Sequence, residues 1–228
     1  MNDKRIIVAI DGPAGAGKST LAKRVAAKLG FIYINTGAMY RAVALWALRL
    51  SVATSDMHRL ERLAQEAEIA LTLEGRVLLN GEDVTEAIGD ASVAAAASEV
   101  SAVPGVRRAL LSVQRGLAER NSVVMEGRDI GSVVFPQAQV KIFLDADPAE
   151  RARRRAREFE QRGQAADVDS IAGEMSQRDL RDRTRAEAPL LQAPDAELID
   201  TTGLSPEQVE DKILQVVRAR VSNGKVAR

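Results

Sequence analysis

Gly12-Pro13-Ala14-Gly15-Ala16-Gly17-Lys18-Ser19 lies between an apolar run, Ile6–Ile10, and a helix-forming stretch, Leu21–Leu29, that stops at Gly30. The eight residues match G-x-x-x-x-G-K-[ST] in full and sit at the strand-to-helix junction where that pattern acquires a physical meaning. Glycines let successive backbone N–H groups turn toward one centre, and the helix N-terminus adds partial positive charge there. Lys18 is placed to reach β- and γ-phosphates, and the Ser19 hydroxyl to hold Mg²⁺. A glycine-rich turn that binds nothing is the plainer alternative, and the full match in context weighs against it. The stretch predicts a nucleoside triphosphate site at the end of a buried strand.

Outward from this loop the chain alternates strands with helices. Strands are expected at Phe31–Ile34, Ser122–Met125, Val140–Leu144 and Glu197–Ile199, and a helix around Ala38–Leu50. Continuous apolar runs between helices indicate a parallel sheet covered on both faces, an α/β fold. The helix after Pro104 is marked by proline at its start and by Val106, Ala109, Leu110, Val113 and Leu117 on one face. From about Arg59 to Ala91 the alternation breaks. Ile69–Leu73 and Val77–Leu79 flank the turn Glu74-Gly75-Arg76, and Asn80-Gly81 follows, which predicts a small antiparallel hairpin or meander inserted as its own lobe.

Composition removes several classes of function. With no cysteine and one histidine, His58, disulfides, thiolate metal sites and Ser–His–Asp hydrolysis are disfavoured. Thirty-two basic and 32 acidic side chains balance, which argues against nucleic acid as a partner. The longest apolar-rich stretch, Ala38–Leu50, carries two arginines and is too short for a membrane span, so a cytoplasmic protein is expected. Of the basic residues 25 are arginine and 7 lysine, a bias that fits either codon usage or a site rich in planar phosphate-binding forks.

A guanine-reading N-K-x-D is absent, and the D-x-x-G at Asp200–Gly203 falls after the last strand. No Gly-Gly pair occurs, which separates the chain from shikimate-type kinases. Small size, dispersed arginines and an inserted lobe favour phosphoryl transfer to a small acceptor. Three further stretches then become specific: Asn35-Thr36-Gly37-Ala38-Met39-Tyr40-Arg41, Glu126-Gly127-Arg128-Asp129-Ile130-Gly131, and Arg178-Asp179 followed by Asp182-Arg183 and Arg185 ahead of Ala188-Pro189-Leu190. With the glycine loop, this ordered set resembles the bacterial cytidylate kinases, nucleoside monophosphate kinases of the P-loop class, over about Arg5 to Val217. Asn35, Thr36 and Glu126 depart from the commonest family wording. Glu126 follows a strand and is placed to act on Mg²⁺ through water.

The resemblance implies a three-layer P-loop fold with a five-stranded parallel sheet, an inserted monophosphate-binding lobe with a small antiparallel sheet, and a helical lid. Within one unit, 1–228, the core would be 1–36, 102–149 and 190–228, the acceptor lobe 37–101, and the lid with its following helix 150–189. It implies ATP on Gly12–Thr20 (Gly12, Pro13, Ala14, Gly15, Ala16, Gly17, Lys18, Ser19 and Thr20) and Mg²⁺ at Ser19. CMP or dCMP would lie against Thr36, Arg41, Ser98, Arg107, Arg128, Asp129, Arg178, Asp182 and Arg185. Lys18, Arg128 and Arg185 would serve the transfer itself. Arginine forks suit the task because two polyanionic substrates repel each other unless cations intervene. Asp129 accepting from the cytosine amine and Arg107 donating to N3 and O2 would reject uracil, and Ser98 completes that family pattern. Arg178 and Asp182 resemble the ribose-contacting pair, and are equally an i,i+4 ion pair. Arg185 with Glu187 is the corresponding plain alternative for Arg185.

Arg151, Arg153, Arg154, Arg155 and Arg157 crowd one helix and cannot all face a ligand. Arg154 and Arg157, which share a face, are assigned to the triphosphate on closure. His58 is expected at the surface and Trp46 in packing. The chain is expected to work as a monomer that transfers phosphate from ATP to CMP or dCMP. A kinase for UMP or AMP is the nearest alternative, and a non-catalytic nucleotide-binding module a more distant one.

Overall fold

In the computed structural model, which describes residues 5–72, 75–161, 163 and 165–226, five strands form one parallel sheet. In spatial order they are β2 (Ile32–Asn35), β6 (Val123–Gly127), β1 (Ile7–Asp11), β7 (Val140–Asp145) and β8 (Glu197–Asp200). β1 is central, and Val8, Ala9 and Ile10 are fully buried. Alternation along the strand divides them. Val8 and Ile10 join the apolar layer of α1 (Lys18–Leu29) and α8 (Pro206–Val226), while Ala9 joins Val123, Met125, Ile130 and Val134 on the opposite face.

Registry aligns the strand ends. Asp11 pairs with Gly127 on one side and Phe143 on the other, and Asn35 pairs with Glu126. The carboxyl ends of β1, β2 and β6 therefore present Gly12, Thr36 and Arg128 along one rim, where open α/β sheets place their ligands. Gly12 has φ +147°, and a Cβ there would stand 2.0 Å from the Leu144 carbonyl oxygen, so the loop leaves β1 through a gap that only glycine fits.

The expected elements are present with shifted ends. The helix after β2 is α2 (Thr36–Arg49), beginning two residues before Ala38 because the Asn35 side chain accepts from the Ala38 N–H at 3.1 Å and caps it. Gly30, in the left-handed conformation, ends α1 by donating to Ala26 and Ala27 carbonyls.

Between β2 and β6 the chain adds α3 (Met57–Glu66), an antiparallel meander of β3 (Ile69–Leu71), β4 (Val77–Leu79) and β5 (Glu82–Asp83), then α4 (Ala91–Val100) and α5 (Pro104–Leu117). Leu73 and Glu74, assigned above to the first strand and turn, lie outside the described residues, as do Met1–Lys4. Met39, Val43, Leu60, Val84, Val100, Val106 and Leu110 give this region a buried core of its own. Trp46 packs against that core and His58 is exposed at the start of α3. α6 (Pro148–Gln161) and α7 (Val168–Thr184) pack on one another through Ala152, Ala156, Ile171 and Met175. Among the described residues no helix is long and apolar enough to cross a membrane.

Candidate active site

A cavity of about 630 Å³ opens at the rim formed by the β1, β2 and β6 ends, between the glycine loop, α4 and α7. It is large enough for drug-sized ligands. Gly15, Gly17, Lys18, Ser19 and Thr20 line one end, and Thr36, Arg41, Ser98, Arg107, Arg128, Asp129, Arg178, Asp182 and Arg185 line the rest. Residues separated by up to about 170 positions in sequence therefore share one space.

Three loop residues support this wall from behind. Gly12 packs under β7, the Pro13 carbonyl accepts from Lys18 Nζ at 2.6 Å, and Ala16 is fully buried. Burial, and next the Arg128 guanidinium, pull the Lys18 ammonium well below its ordinary value. Glu126 and Asp11 oppose that fall without cancelling it.

Beside it the Ser19 hydroxyl donates to Glu126 Oε2 at 2.9 Å, and Tyr33 donates its hydroxyl to Glu126 Oε1. Burial and the facing Glu126 charge push the Tyr33 phenol up, so it stays a donor. Ser19 and Glu126 thus bring a hydroxyl and a carboxylate together at the phosphate end. That donor set suits Mg²⁺, which binds through one or two protein oxygens and completes its shell with phosphate and water.

At the acceptor end charges alternate. Arg107 donates to Asp129, and Arg185 approaches Asp129 at 3.7 Å and Asp182 at 3.6 Å. Asp182 in turn accepts from Arg128 Nε at 2.9 Å. Burial is the largest influence on Arg107 and opposes its charge, yet Tyr40 and Asp129 together hold the guanidinium above its ordinary value. Asp182 therefore takes Arg128 and Arg185 as ion-pair partners rather than Arg178, and Arg185 turns inward while Glu187 pairs with Arg108. Arg185 is only about 5% exposed, so its charge must find its partners inside.

Arg178 Nε is buried with no hydrogen-bond partner among the described residues. Burial first, and then Arg128, bring its guanidinium down to about 9, with Arg41 and Arg155 adding and Asp182 opposing. The buried Ser98 hydroxyl is likewise unpartnered, and the alanines around it, Ala94, Ala95 and Ala97, line the same wall. The Thr36 hydroxyl, by contrast, already donates to the Glu126 carbonyl at 2.7 Å.

The helix of crowded arginines is sorted by its phase. Arg155 lines the cavity, stacked on Phe159 at 4.5 Å, whereas Arg154 and Arg157 do not line it. Arg154 is held away by Glu150 and by the Thr201 hydroxyl and carbonyl. Arg151 is buried and donates to the Ala14 carbonyl at 3.0 Å and to Asp179 at 2.6 Å, bracing the glycine loop from below. Arg155, Tyr33 and Asp11 were not singled out by the sequence as site residues. For Asp11 the signal was available as an acid closing an apolar strand.

A glycine loop on a central parallel strand, facing a second anion site across one cavity, defines a P-loop phosphotransferase. A family model described as cytidylate kinase matches residues 8–219. The chain is 60% identical over 224 residues to the cytidylate kinase of Solibacter usitatus (strain Ellin6076), covering 97% of this chain and 96% of that one. It is 50% identical over 222 residues to the cytidylate kinase of Pelotomaculum thermopropionicum, covering 96% of each. The chain belongs to the cytidylate kinase family. Among solved structures, a gluconokinase from Sinorhizobium meliloti 1021 superposes with a TM-score of 0.51 at 12% identity, covering 98% of both chains, a likeness of fold alone.

Proposed function

We propose that this chain transfers the γ-phosphoryl group of ATP directly to CMP or dCMP, giving ADP and CDP or dCDP, with Mg²⁺. The observation that carries it is the cavity's polarity along its length. Lys18 and Ser19 stand at one end, the buried Arg107–Asp129 pair at the other, and Arg41, Arg128 and Arg178 also line the space.

An oxygen of the acceptor phosphate attacks the γ-phosphorus in line while the bond to the β,γ-bridging oxygen breaks. That transfer needs little covalent help, so positioning and charge stabilisation supply the rate. Lys18 and Arg128 neutralise the transferring group, and Arg41, Arg178 and Arg185 hold the acceptor phosphate and the Asp182 side of the site. Ser19 and Glu126 hold Mg²⁺, which supplies neutralisation of phosphate charge when bound. Asp129 accepts from the cytosine amine, Arg107 donates to N3 and O2, and the Ser98 hydroxyl is available to the same edge. Helices α6 and α7 form the lid that excludes water, the inserted region 37–101 the acceptor lobe, and the remainder the core. One chain carries the whole cavity, which suits a monomer, and both nucleotides are cytoplasmic metabolites.

A coupled ADP-release assay against CMP, dCMP, UMP and AMP tests this directly. CMP- or dCMP-dependent turnover is expected. Equal rates with UMP or AMP would assign a different acceptor, and no acceptor-dependent turnover would leave only a nucleotide-binding module.

Two variants test the assigned ends. Asp129→Ala removes the amine acceptor and leaves Arg107 without its buried partner, so preference for CMP over UMP should fall by about tenfold, the effect of one mismatched polar contact. An unchanged acceptor ratio would remove Asp129 from base choice. Glu126→Gln presents an amide where two hydroxyls now donate to a carboxylate. The Mg²⁺ concentration for half-maximal rate should rise by about tenfold. A midpoint equal to that of the unaltered protein would place the metal elsewhere.

A further inference from the structure

Asp11 has no part in the chemistry above, yet it is a carboxylate buried at the centre of the sheet, 5% exposed, on the residue that immediately precedes the glycine loop. Its two oxygens are used separately. Oδ1 accepts from the Ile130 N–H at 2.8 Å and Oδ2 from the Gly131 N–H at 2.8 Å. Those two amides open the single turn of wide helix, Ile130–Val134, that follows Arg128 and Asp129 directly. Burial raises the Asp11 carboxyl to about 6, with the two amides acting against the rise, Asp129 adding to it and Lys18 opposing it.

A buried carboxylate is costly, and a neutral residue would fit a central strand better. What the carboxylate supplies is two acceptors facing two adjacent donors. The turn it holds is tight elsewhere as well. A Cβ at Gly127 would meet Ile130 Cδ1 at 2.6 Å and Thr36 Oγ1 at 2.8 Å. Gly127 and the Asp11 clamp therefore fix the segment Arg128–Asp129 at both ends. Its two side chains are the ones that reach Asp182 and Arg107.

Taking the transfer to CMP proposed above as given, we infer that Asp11 is a positioning residue that locks the acceptor-reading turn, Arg128–Asp129, to the root of the triphosphate loop. The backbone of Asp11 launches the loop toward the donor phosphates, and its side chain sets where the base- and phosphate-reading side chains stand. Donor and acceptor sites are thereby referred to one residue on the central strand. A shift of about 1 Å between reactants is enough to slow such a reaction substantially.

Asp11→Asn tests this, because an amide keeps the shape but offers one acceptor, and its NH₂ confronts the other backbone N–H. Steady-state constants for ATP, CMP and UMP are measured with the melting curve. The expected result is a folded protein whose CMP KM rises by about tenfold and whose CMP-over-UMP ratio falls by about fivefold, with ATP KM within about twofold. A purely structural carboxylate would lower the melting temperature while leaving the KM split and the acceptor ratio intact. That result overturns the inference, as do unchanged constants or an equal rise in both KM values. If the variant does not fold, the unaltered protein decides by amide NMR. A non-hydrolysable ATP analogue alone should shift the Ile130 and Gly131 amides, and CMP alone the Gly12 amide, and absence of either cross-site shift overturns the coupling. Turnover of CMP by the unaltered protein, run alongside, separates failure of the inference from failure of the proposed activity.

Discussion

Replacing Lys18 with alanine should lower kcat by about 10³-fold, the scale of removing one preorganised donor from a developing oxyanion or an arginine finger from phosphoryl transfer. The fold should survive. Lys18 is buried, its ammonium is held well below its ordinary value by desolvation and Arg128, and it donates a hydrogen bond to the Pro13 carbonyl of its own loop. Removing a poorly compensated buried charge costs the empty protein little, so the melting temperature should hold or rise. The loss should fall on kcat more than on the KM for ATP, because the ammonium gains most as charge builds on the transferring group. Stopped-flow or coupled turnover together with a melting curve reads both quantities. A kcat within tenfold of the unaltered protein would take Lys18 out of the transfer step.

The contrast between Lys18 and Arg154 shows what a sequence can disclose here. The glycine loop is a local object: eight consecutive residues between an apolar strand and a helix specify their own backbone, and the structure places Lys18 and Ser19 on the cavity as expected. The alternation of apolar runs with helices likewise disclosed the parallel strands, most clearly β1, β6 and β7, which are buried nearly end to end, and more faintly the edge strands β2 and β8. Ends moved by a residue or two where a side chain intervened, as when Asn35 capped α2 ahead of Ala38. The lid arginines were a different problem. Five of them crowd one helix, and which one faces the ligand depends on how α6 rotates against α7 and β8. That rotation is fixed by Ala152 and Ala156 packing on Ile171 and Met175, and by Glu150 and Thr201 drawing Arg154 aside, none of which is local. The plain alternative for Arg178 and Asp182, an i,i+4 ion pair, is not the pairing that Asp182 makes. Helical proximity favours such a pair by only about 0.5 kcal/mol, and Asp182 instead meets Arg128 from the end of β6 and Arg185, three residues on at the close of its own helix.

Freed from that pair, Arg178 becomes the residue whose removal separates two roles. The ribose contact implied by family resemblance predicts that Arg178→Met raises the CMP KM and spares kcat. The surroundings favour another outcome. Arg178 stands among Arg128, Arg41 and Arg155, it influences Lys18 through space, and its Nε is buried without a partner. A guanidinium that is buried beside like charges, with Asp182 offsetting them only in part, costs the empty protein free energy, and two phosphate groups entering the cavity relieve that cost. Arg178→Met should therefore lower kcat by about 10²-fold. It should also raise the melting temperature of the ligand-free protein by about 2–4 °C, the shift expected from about 1 kcal/mol in a chain of this size. The same variant should lose most of the additional thermal stabilisation that ATP and CMP together confer on the unaltered protein, because the cation that gained most from them is gone. Activity and stability moving in opposite directions is the result that a ribose contact does not produce. A raised CMP KM with kcat and melting temperature unchanged would return Arg178 to the sugar and leave Lys18 and Arg128 as the cations that carry the transfer.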